Sequence, residues 1–359
     1  MVTAEAVINL QALHHNYQRL KRYCPNSKLI AVLKGDGYGH GASQIAKALP
    51  AADMFAVSRL EEALSLRADG IQQPILLLEG CFCSEDLIIA AEQNLQTVVH
   101  HPEQLAALES MQLTRPIKTW LKVDTGMHRL GVHPDELSGY VARLQACDNL
   151  DGEPGFITHF SCADEPDSTT TLDQLHRFEK LTRAFPGEKT LANSAGVLFW
   201  PNSHFDQVRS GIALYGISPK RNGSGAKQGL RPVMTLRSRL IAVRSHQLGE
   251  PVGYGEIWTS PRNTKIGVVA MGYGDGYPGS APEGTPVWVN GRIVPIVGRV
   301  SMDMLTVDLG PNADDKAGDS VIFWGTSELP IEKVATHIGT IAYELVIKLT
   351  GRVFKHYQY

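Results

Sequence analysis

No block of like charge breaks this chain: 34 basic residues face 37 acidic ones, a formal net charge of −3, without runs of either sign. That excludes the basic footprint of a nucleic-acid-binding surface, so a small molecule is the expected partner and nucleic acid is not. Long apolar runs are missing as well. None approaches the roughly 20 residues that span a bilayer, and no membrane partner is expected. The opening stretch MVTAEAVINLQALHH lacks the basic-then-apolar order of a secretory signal, which makes cytoplasmic residence the expectation. Cysteine is sparse and odd in number. Cys24, Cys81, Cys83, Cys147 and Cys162 make no C-x-x-C pair, and Cys81-x-Cys83 has no second pair near it, so reduced thiols are expected and a metal site is not.

What is present is enough apolar material for two cores: 43 % of 359 residues are hydrophobic, and the length suits two domains. After a first strand and helix (AEAVINLQALHHNYQRLKRY), eight short apolar runs alternate with helical-period pieces such as RLEEALSLRADG. The runs are KLIAVLK, MFAVS, PILLLE, TVVH, KTWLKVD, GFITHF, TLANS and FDQVRSGIALYG. Eight strands alternating with helices over this length predict a parallel (β/α)8 TIM-like barrel over residues 1–227, with an open doubly wound sheet as the alternative. From about Gln228 the texture turns β-rich, predicting a mainly β domain over 228–359. Its clearest local signal is Asn290-Gly291 inside VWVNGRIV, which suits a type I′ hairpin.

The stretch KLIAVLKGDGYGHG ends an apolar run on Lys34 and then places Gly35, Gly37, Gly39 and Gly41 at every second position. A G-x-G-x-x-G dinucleotide loop fails because its third glycine would fall on His40, and a Walker A loop fails because the lysine precedes the glycines. What remains is a lysine at the C-terminal end of an early barrel strand, where barrel active sites are built, with glycines keeping bulk away from it. That suits an amine that forms a Schiff base. Alone, such a lysine is more often an ordinary solvated strand-end charge.

Later strand ends carry polar groups too: Lys122, Asp124 and Arg129, then His159, then Asn193 and Ser194, then Arg209. Packing does not account for four such clusters on one barrel face. The last two follow the seventh and eighth runs, where barrels often bind phosphate, and Ser194 with the N–H groups of Gly211 and Ile212 is suited to that. A Schiff-base lysine with a phosphate pocket suggests pyridoxal 5′-phosphate (PLP).

At these residues the chain resembles the alanine racemases, fold-type III PLP enzymes, from end to end. The PLP-attachment motif stands as Lys34-Gly-Asp-Gly-Tyr38-Gly-His-Gly41; D-T-G-M-x-R-L-G stands at 124–131, H-F-x-x-A-D-E at 159–165, G-Y-x-D-G-Y-P at 272–278 and G-R-x-x-M-D at 298–303. The resemblance implies a homodimer with shared active sites. In it Lys34 would hold PLP and act as one base, and Tyr273 of the second domain would serve the other face in a partner's barrel. It implies Arg209 at the pyridine nitrogen, and Arg129 at the phenolic oxygen and the substrate carboxylate. Tyr38, Ser194, Ile212 and Tyr343 would meet the phosphate, and His159 would link Arg209 to Tyr273. Met302 would bind alanine through its backbone N–H, Asp164 and Arg299 would line the approach, and Lys122 would be carbamylated. An unmodified Lys122 paired with Asp124 is the alternative.

The chemistry fits these residue types. Inverting a Cα centre asks for one base per face, and a lysine and a tyrosine, each ordinarily titrating near about 10, must be tuned downward to serve. The expected reaction is racemisation of L- and D-alanine, supplying D-alanine for peptidoglycan or serving catabolism. A broader amino-acid racemase and a non-enzymatic PLP carrier are the alternatives. Two departures from the family pattern, Ser210 for a frequent proline and Gly279 for a frequent arginine, read as lying outside the chemistry. Gly35 and Gly37, often alanine in relatives, read as a source of loop mobility.

Overall fold

The computed structural model describes residues 4–359. It forms two compact units: one is Asn16–Leu214, and the other joins the N-terminal residues through His15 to Tyr215–Tyr359.

The first unit is a closed barrel of eight parallel strands. With β1 given to Glu5–Asn9 of the other unit, these are β2 (Lys28–Val32), β3 (Met54–Val57), β4 (Ile75–Leu77), β5 (Leu95–Val99), β6 (Thr119–Lys122), β7 (Gly155–Ile157), β8 (Lys189–Thr190) and β9 (Gln207–Ser210). They correspond one to one with the eight apolar runs. Closure runs through β2 and β9, where Ile30 stands opposite Arg209, and this pairing rules out the open sheet. Both faces of each strand are covered, so the strands read as continuous apolar runs: Leu29, Ile30 and Ala31, then Phe55, Ala56 and Val57, then Ile75, Leu76 and Leu77, all fully buried.

The second unit is built on an eight-stranded, mainly antiparallel sheet whose far strand pairs back onto the long strand β10 (Met234–His246). Its membership explains why the chain divides elsewhere than at 227/228. The strand β1, read as part of the barrel domain, lies in this sheet: Glu5 stands opposite Arg237 on one side and Phe354 on the other, and its carboxylate takes Arg237 Nε at 2.7 Å. Pairing partners so distant in sequence leave no local trace. The Asn290-Gly291 turn is as expected: it joins Pro286–Val289 to Arg292–Val297 with φ of 43° and 85°, the two left-handed residues of a type I′ turn. Among the described residues no helix is long and apolar enough to cross a membrane, and no group of three His, Cys, Asp or Glu side chains is placed to hold a metal ion.

The barrel wall allows a paired test of packing against propensity. A Cβ added at Gly155, on β7, would lie 2.4 Å from the ring of Trp120, which is fully buried with its indole N–H on Gln96 Oε1. Gly155→Ala is expected to lower unfolding stability by about 1–3 kcal/mol through overpacking. Gly139, inside the helix Leu137–Gln145, has open space around it, and Gly139→Ala is expected to raise stability by about 0.5–1 kcal/mol. Urea midpoints of both variants check the opposite signs.

Candidate active site

Lys34 follows β2 by one residue and opens a short left-handed helical turn. Gly35, Asp36 and Gly37 have φ/ψ of 63/45°, 53/49° and 62/44°, close to the left-handed ideal, and Tyr38 follows at φ 52°. Hydrogen bonds close it: Gly37 N donates to Leu33 O at 2.7 Å and Gly39 N to Gly35 O at 2.8 Å. A left-handed turn costs a side-chain-bearing residue roughly 1–2 kcal/mol, least for glycine and for short polar residues that bond locally. Asp36 does so through Oδ1, which accepts Ala42 N at 2.9 Å. Gly35 and Gly37 supply the positive φ that this turn requires.

Beside the turn stand Lys122, Arg129 and Arg209. Arg209 is buried at the closure strand, where its guanidinium donates to Thr190 Oγ1 at 2.8 Å, Thr158 O at 2.6 Å and Leu191 O at 3.3 Å. Burial pulls its pKa down to about 9, still above neutral, so it stays a cation. Burial lowers the Lys34 pKa, Arg129 and Arg209 lower it further, and Glu79 and Glu62 act against them. Burial with Arg209 and Arg129 brings Lys122 down to about 8. His159 is held well below its usual range by burial and then by these same cations, so its ring is neutral. Its Nδ1 lies 3.5 Å from Arg209 Nη2, which makes Nδ1 the acceptor and leaves the proton on Nε2.

The loops after β8 and β9 form a second cluster. Asn193 caps the helix Ser194–Phe199 by accepting Gly196 N on Oδ1 at 2.9 Å. Ser194 Oγ accepts Gly211 N at 2.9 Å and Ala213 N at 3.2 Å, so its own O–H is left to donate. Tyr38 is buried over the same loop, its phenol kept neutral by burial. A Cβ on Gly211 would come within 2.3 Å of that hydroxyl, so this position has to be glycine. Gly211 was expected to turn its N–H toward an anion. It gives that N–H to Ser194 instead and contributes by leaving room for Tyr38. Ile212 is buried next to it, and Asp164 stands partly exposed in the loop after β7.

The second unit holds Tyr273, Arg299, Met302 and Tyr343. Tyr273 and Met302 are about half exposed and sit on adjoining loops, with Tyr273 N donating to Ser301 O at 3.0 Å and Gly274 N to Met302 O at 2.8 Å. Arg299 is exposed on the same segment as Met302, and Tyr343 lies in the helix Ala342–Ile347.

Two departures from the family pattern need correcting. Ser210 is buried with its hydroxyl 3.4 Å from that of Ser194, and a Cβ at Gly279 would touch the Tyr273 ring at 3.5 Å. Both lie against site residues, because the strand end and the turn fold back on themselves. Sequence reasoning also missed the residues that hold the site. One oxygen of Glu62 accepts Gly35 N at 2.6 Å, while the other accepts Ser58 N and Arg59 N at 2.9 and 3.1 Å and so caps the helix Leu60–Ala68. Gln174, buried, donates to His159 O at 3.0 Å and to Thr125 Oγ1 at 3.2 Å. Glutamate early in a helix was the available signal for Glu62; nothing in sequence marked Gln174, Thr158 or Thr190.

Comparison with known proteins agrees with this architecture. The family described as alanine racemase, N-terminal domain, matches residues 8–219, and alanine racemase, C-terminal domain, matches 233–357. The chain is 57% identical to the alanine racemase of Vibrio cholerae over 357 residues, 99% of each chain, and 55% identical to that of Edwardsiella ictaluri over 359 residues, again 99% of each. Among solved structures, the biosynthetic alanine racemase of Pseudomonas aeruginosa superposes with a TM-score of 0.96 at 44% identity, covering all of both chains.

The depressed Lys122 amine has a consequence for stability. Its ordinary pKa is 10.5 and its folded value about 8, so between them the unfolded chain binds more protons and stability from this group rises with pH. In CO2-free buffer without added PLP, the wild type is expected to gain on Lys122→Met between about pH 7.5 and about pH 9.5 in denaturant unfolding. Parallel pH dependence would contradict the assignment.

Proposed function

The chain belongs to the alanine racemase family and interconverts L- and D-alanine; we propose that it does so on PLP held in the barrel, with Lys34 and Tyr273 as the two bases. The residues fit the cofactor. A phosphate dianion needs cations and hydroxyl donors, and the barrel mouth offers Lys34, Lys122, Arg129 and Arg209 with the hydroxyl of Ser194 and the neutral phenol of Tyr38 above a loop kept open by Gly211. Lys34 is the amine to which PLP attaches. Tyr38, Ser194, Ile212 and Tyr343 would hold its phosphate, Arg209 would meet its ring nitrogen, and Arg129 its phenolic oxygen. When bound, PLP supplies an electron sink that acidifies the Cα–H bond of an amino acid joined to it.

The protein's own groups then set the outcome. Lys34, its pKa lowered by burial and by Arg129, can accept a proton and return it. Arg209 keeps its protons through three acceptors, so it would offer a cofactor ring nitrogen a hydrogen bond and not a transferable proton. A weaker sink favours return of the proton to Cα over further reaction. His159, neutral and hydrogen-bonded to Arg209, would link that arginine to Tyr273 of another subunit. Tyr273 belongs to the second unit and serves the barrel of another subunit in a homodimer. Met302 offers its N–H and Arg129 its charge to the alanine carboxylate, while Asp164 and Arg299 line the approach. Lys122, with a pKa of about 8, is in part the free amine that can attack CO2, and the carbamate formed with release of a proton would give Arg129 the anion that this cationic mouth otherwise lacks.

The single observation that carries the reading is the near-uncompensated cluster of Lys34, Lys122, Arg129 and Arg209 around a neutral His159. Neither a broader racemase nor a PLP carrier is favoured, since both alanine racemase domains match and curated alanine racemases are 55–57% identical over nearly the whole chain. D-alanine for the cell wall is the role proposed.

L-alanine incubated with PLP-loaded protein in deuterated buffer is expected to lose all optical rotation while deuterium enters Cα. Retained rotation without label would overturn the racemase reading. Lys34→Ala and Tyr273→Ala, each inactive, are expected to regain part of the activity when mixed and allowed to exchange subunits, and no recovery would refute shared sites. Native mass spectra are expected to show one added CO2 that Lys122→Met lacks.

A further inference from the structure

We propose that Arg352 is a positioning residue for the Tyr273 base and the Met302 substrate contact, locking their two loops into one rigid piece; this rests on the two-base reading. Asp275, two residues after Tyr273, is buried with 4% of its surface exposed. One carboxylate oxygen accepts Gly272 N at 2.9 Å and so closes the turn that carries Tyr273. The other faces Arg352 Nε at 3.1 Å. The same guanidinium reaches Asp303, next to Met302, through Nη1 at 2.8 Å. A single planar cation therefore bridges the two loops whose neighbouring residues would meet substrate.

Independent contacts show that the fit is close. A Cβ at Gly274 would lie 2.5 Å from Arg352 Nη1 and 2.9 Å from Met302 O, so the guanidinium packs closely against the backbone at Gly274. The residues leading to Arg352 grip the same turn, with Thr350 N on Asp275 O at 3.1 Å and Thr350 Oγ1 on Gly274 O at 2.9 Å. Tyr273 itself is about half exposed and has little packing of its own to fix it. A buried carboxylate stripped of its cation also becomes an uncompensated charge, which the turn relieves only by opening to water. Arginine suits the task because one rigid fork serves two carboxylates; a lysine presents a single point.

The test uses the PLP-loaded protein and alanine labelled with deuterium at Cα. Arg352→Met is expected to keep its PLP content while kcat falls about tenfold to a hundredfold, the cost of a base displaced by about an ångström. The primary isotope effect is expected to rise for the one enantiomer whose proton Tyr273 takes and not for the other, because the Lys34 step is untouched. Ethylguanidinium is expected to restore part of the rate, and Arg352→Lys to restore less than wild type. Asp303→Asn, which leaves the Asp275 pair intact, is expected to raise KM for alanine more than it lowers kcat, and it serves also if Arg352→Met fails to fold. Unchanged kcat and isotope effects in Arg352→Met, or an equal rise for both enantiomers, would overturn the proposal while leaving two-base catalysis standing. Full activity in a Tyr273→Phe control would overturn the two-base reading itself, and the proposal with it.

Discussion

Positive charge collected at one end of the barrel, with too few anions to balance it, is the constraint on which the rest of the site depends. Lys34, Lys122, Arg129 and Arg209 face one another, with Glu62 and Glu79 the carboxylates acting on Lys34 from the other side. In water such a cluster would be screened; behind a barrel wall it is not. Lys34 and Lys122 shift down, through burial first and the neighbouring cations after it, and His159 stands in its neutral form. Arg209 keeps its charge although burial lowers its pKa to about 9, because Thr190, Thr158 and Leu191 give its guanidinium three acceptors. Burial and this imbalance together make a base out of a lysine, and the imbalance demands an anionic guest.

An electrostatic arrangement of this kind works only if the backbone holds it still. The barrel does that for Arg209, which lies inside β9 with its N–H bonded to Ala192 O. Lys34 lies beyond its strand and depends on the left-handed turn. That turn is fixed at two points by acids: Asp36 ties its middle to Ala42, and Glu62 ties Gly35 to the start of the helix Leu60–Ala68. Glu62 is at once a helix cap, a backbone anchor and one of the few negative charges near the lysine, so a change there disturbs all three together.

The barrel strands were readable because each is buried on both faces and so is apolar throughout, and Lys34 was readable because alternating glycines after such a run are rare without a reason. Tyr273 and Arg129 were visible through motifs rather than through physics; an isolated tyrosine in a β domain reads as packing. The strand Glu5–Asn9 was assigned to the wrong neighbours because its partners, Arg237 and Phe354, are far along the chain. Ser210 and Gly279 were read as bystanders for the same reason: contact with Ser194 and with Tyr273 is made by folding back, which spacing does not encode. Arg352, Glu62 and Gln174 belong to the commonest surface residue types, and only their hydrogen bonds distinguish them.

The two proposed bases are carried in a similar way although they lie in different units and different secondary structure. Lys34 is followed by Gly-Asp-Gly-Tyr, and so is Tyr273. In each case the aspartate accepts a backbone N–H, that of Ala42 or of Gly272, and the second glycine takes a positive φ, 62° or 94°. The closing tyrosine is buried in both, Tyr38 over Gly211 and Tyr277 against Phe323 and Trp324. A residue that must give and take a proton at a fixed point cannot sit on a mobile loop, yet at a strand end it has no ladder to hold it. A tight turn, closed by an acid and anchored by a buried ring, supplies that rigidity from five consecutive residues. The turns differ in their second anchor, a carboxylate for Lys34 and a guanidinium for Tyr273. That difference follows from the charge each must avoid: a second cation beside Lys34 would add to the repulsion already lowering its pKa, whereas beside Tyr273 the cation neutralises the buried Asp275 and leaves the phenol free to face solvent or a partner.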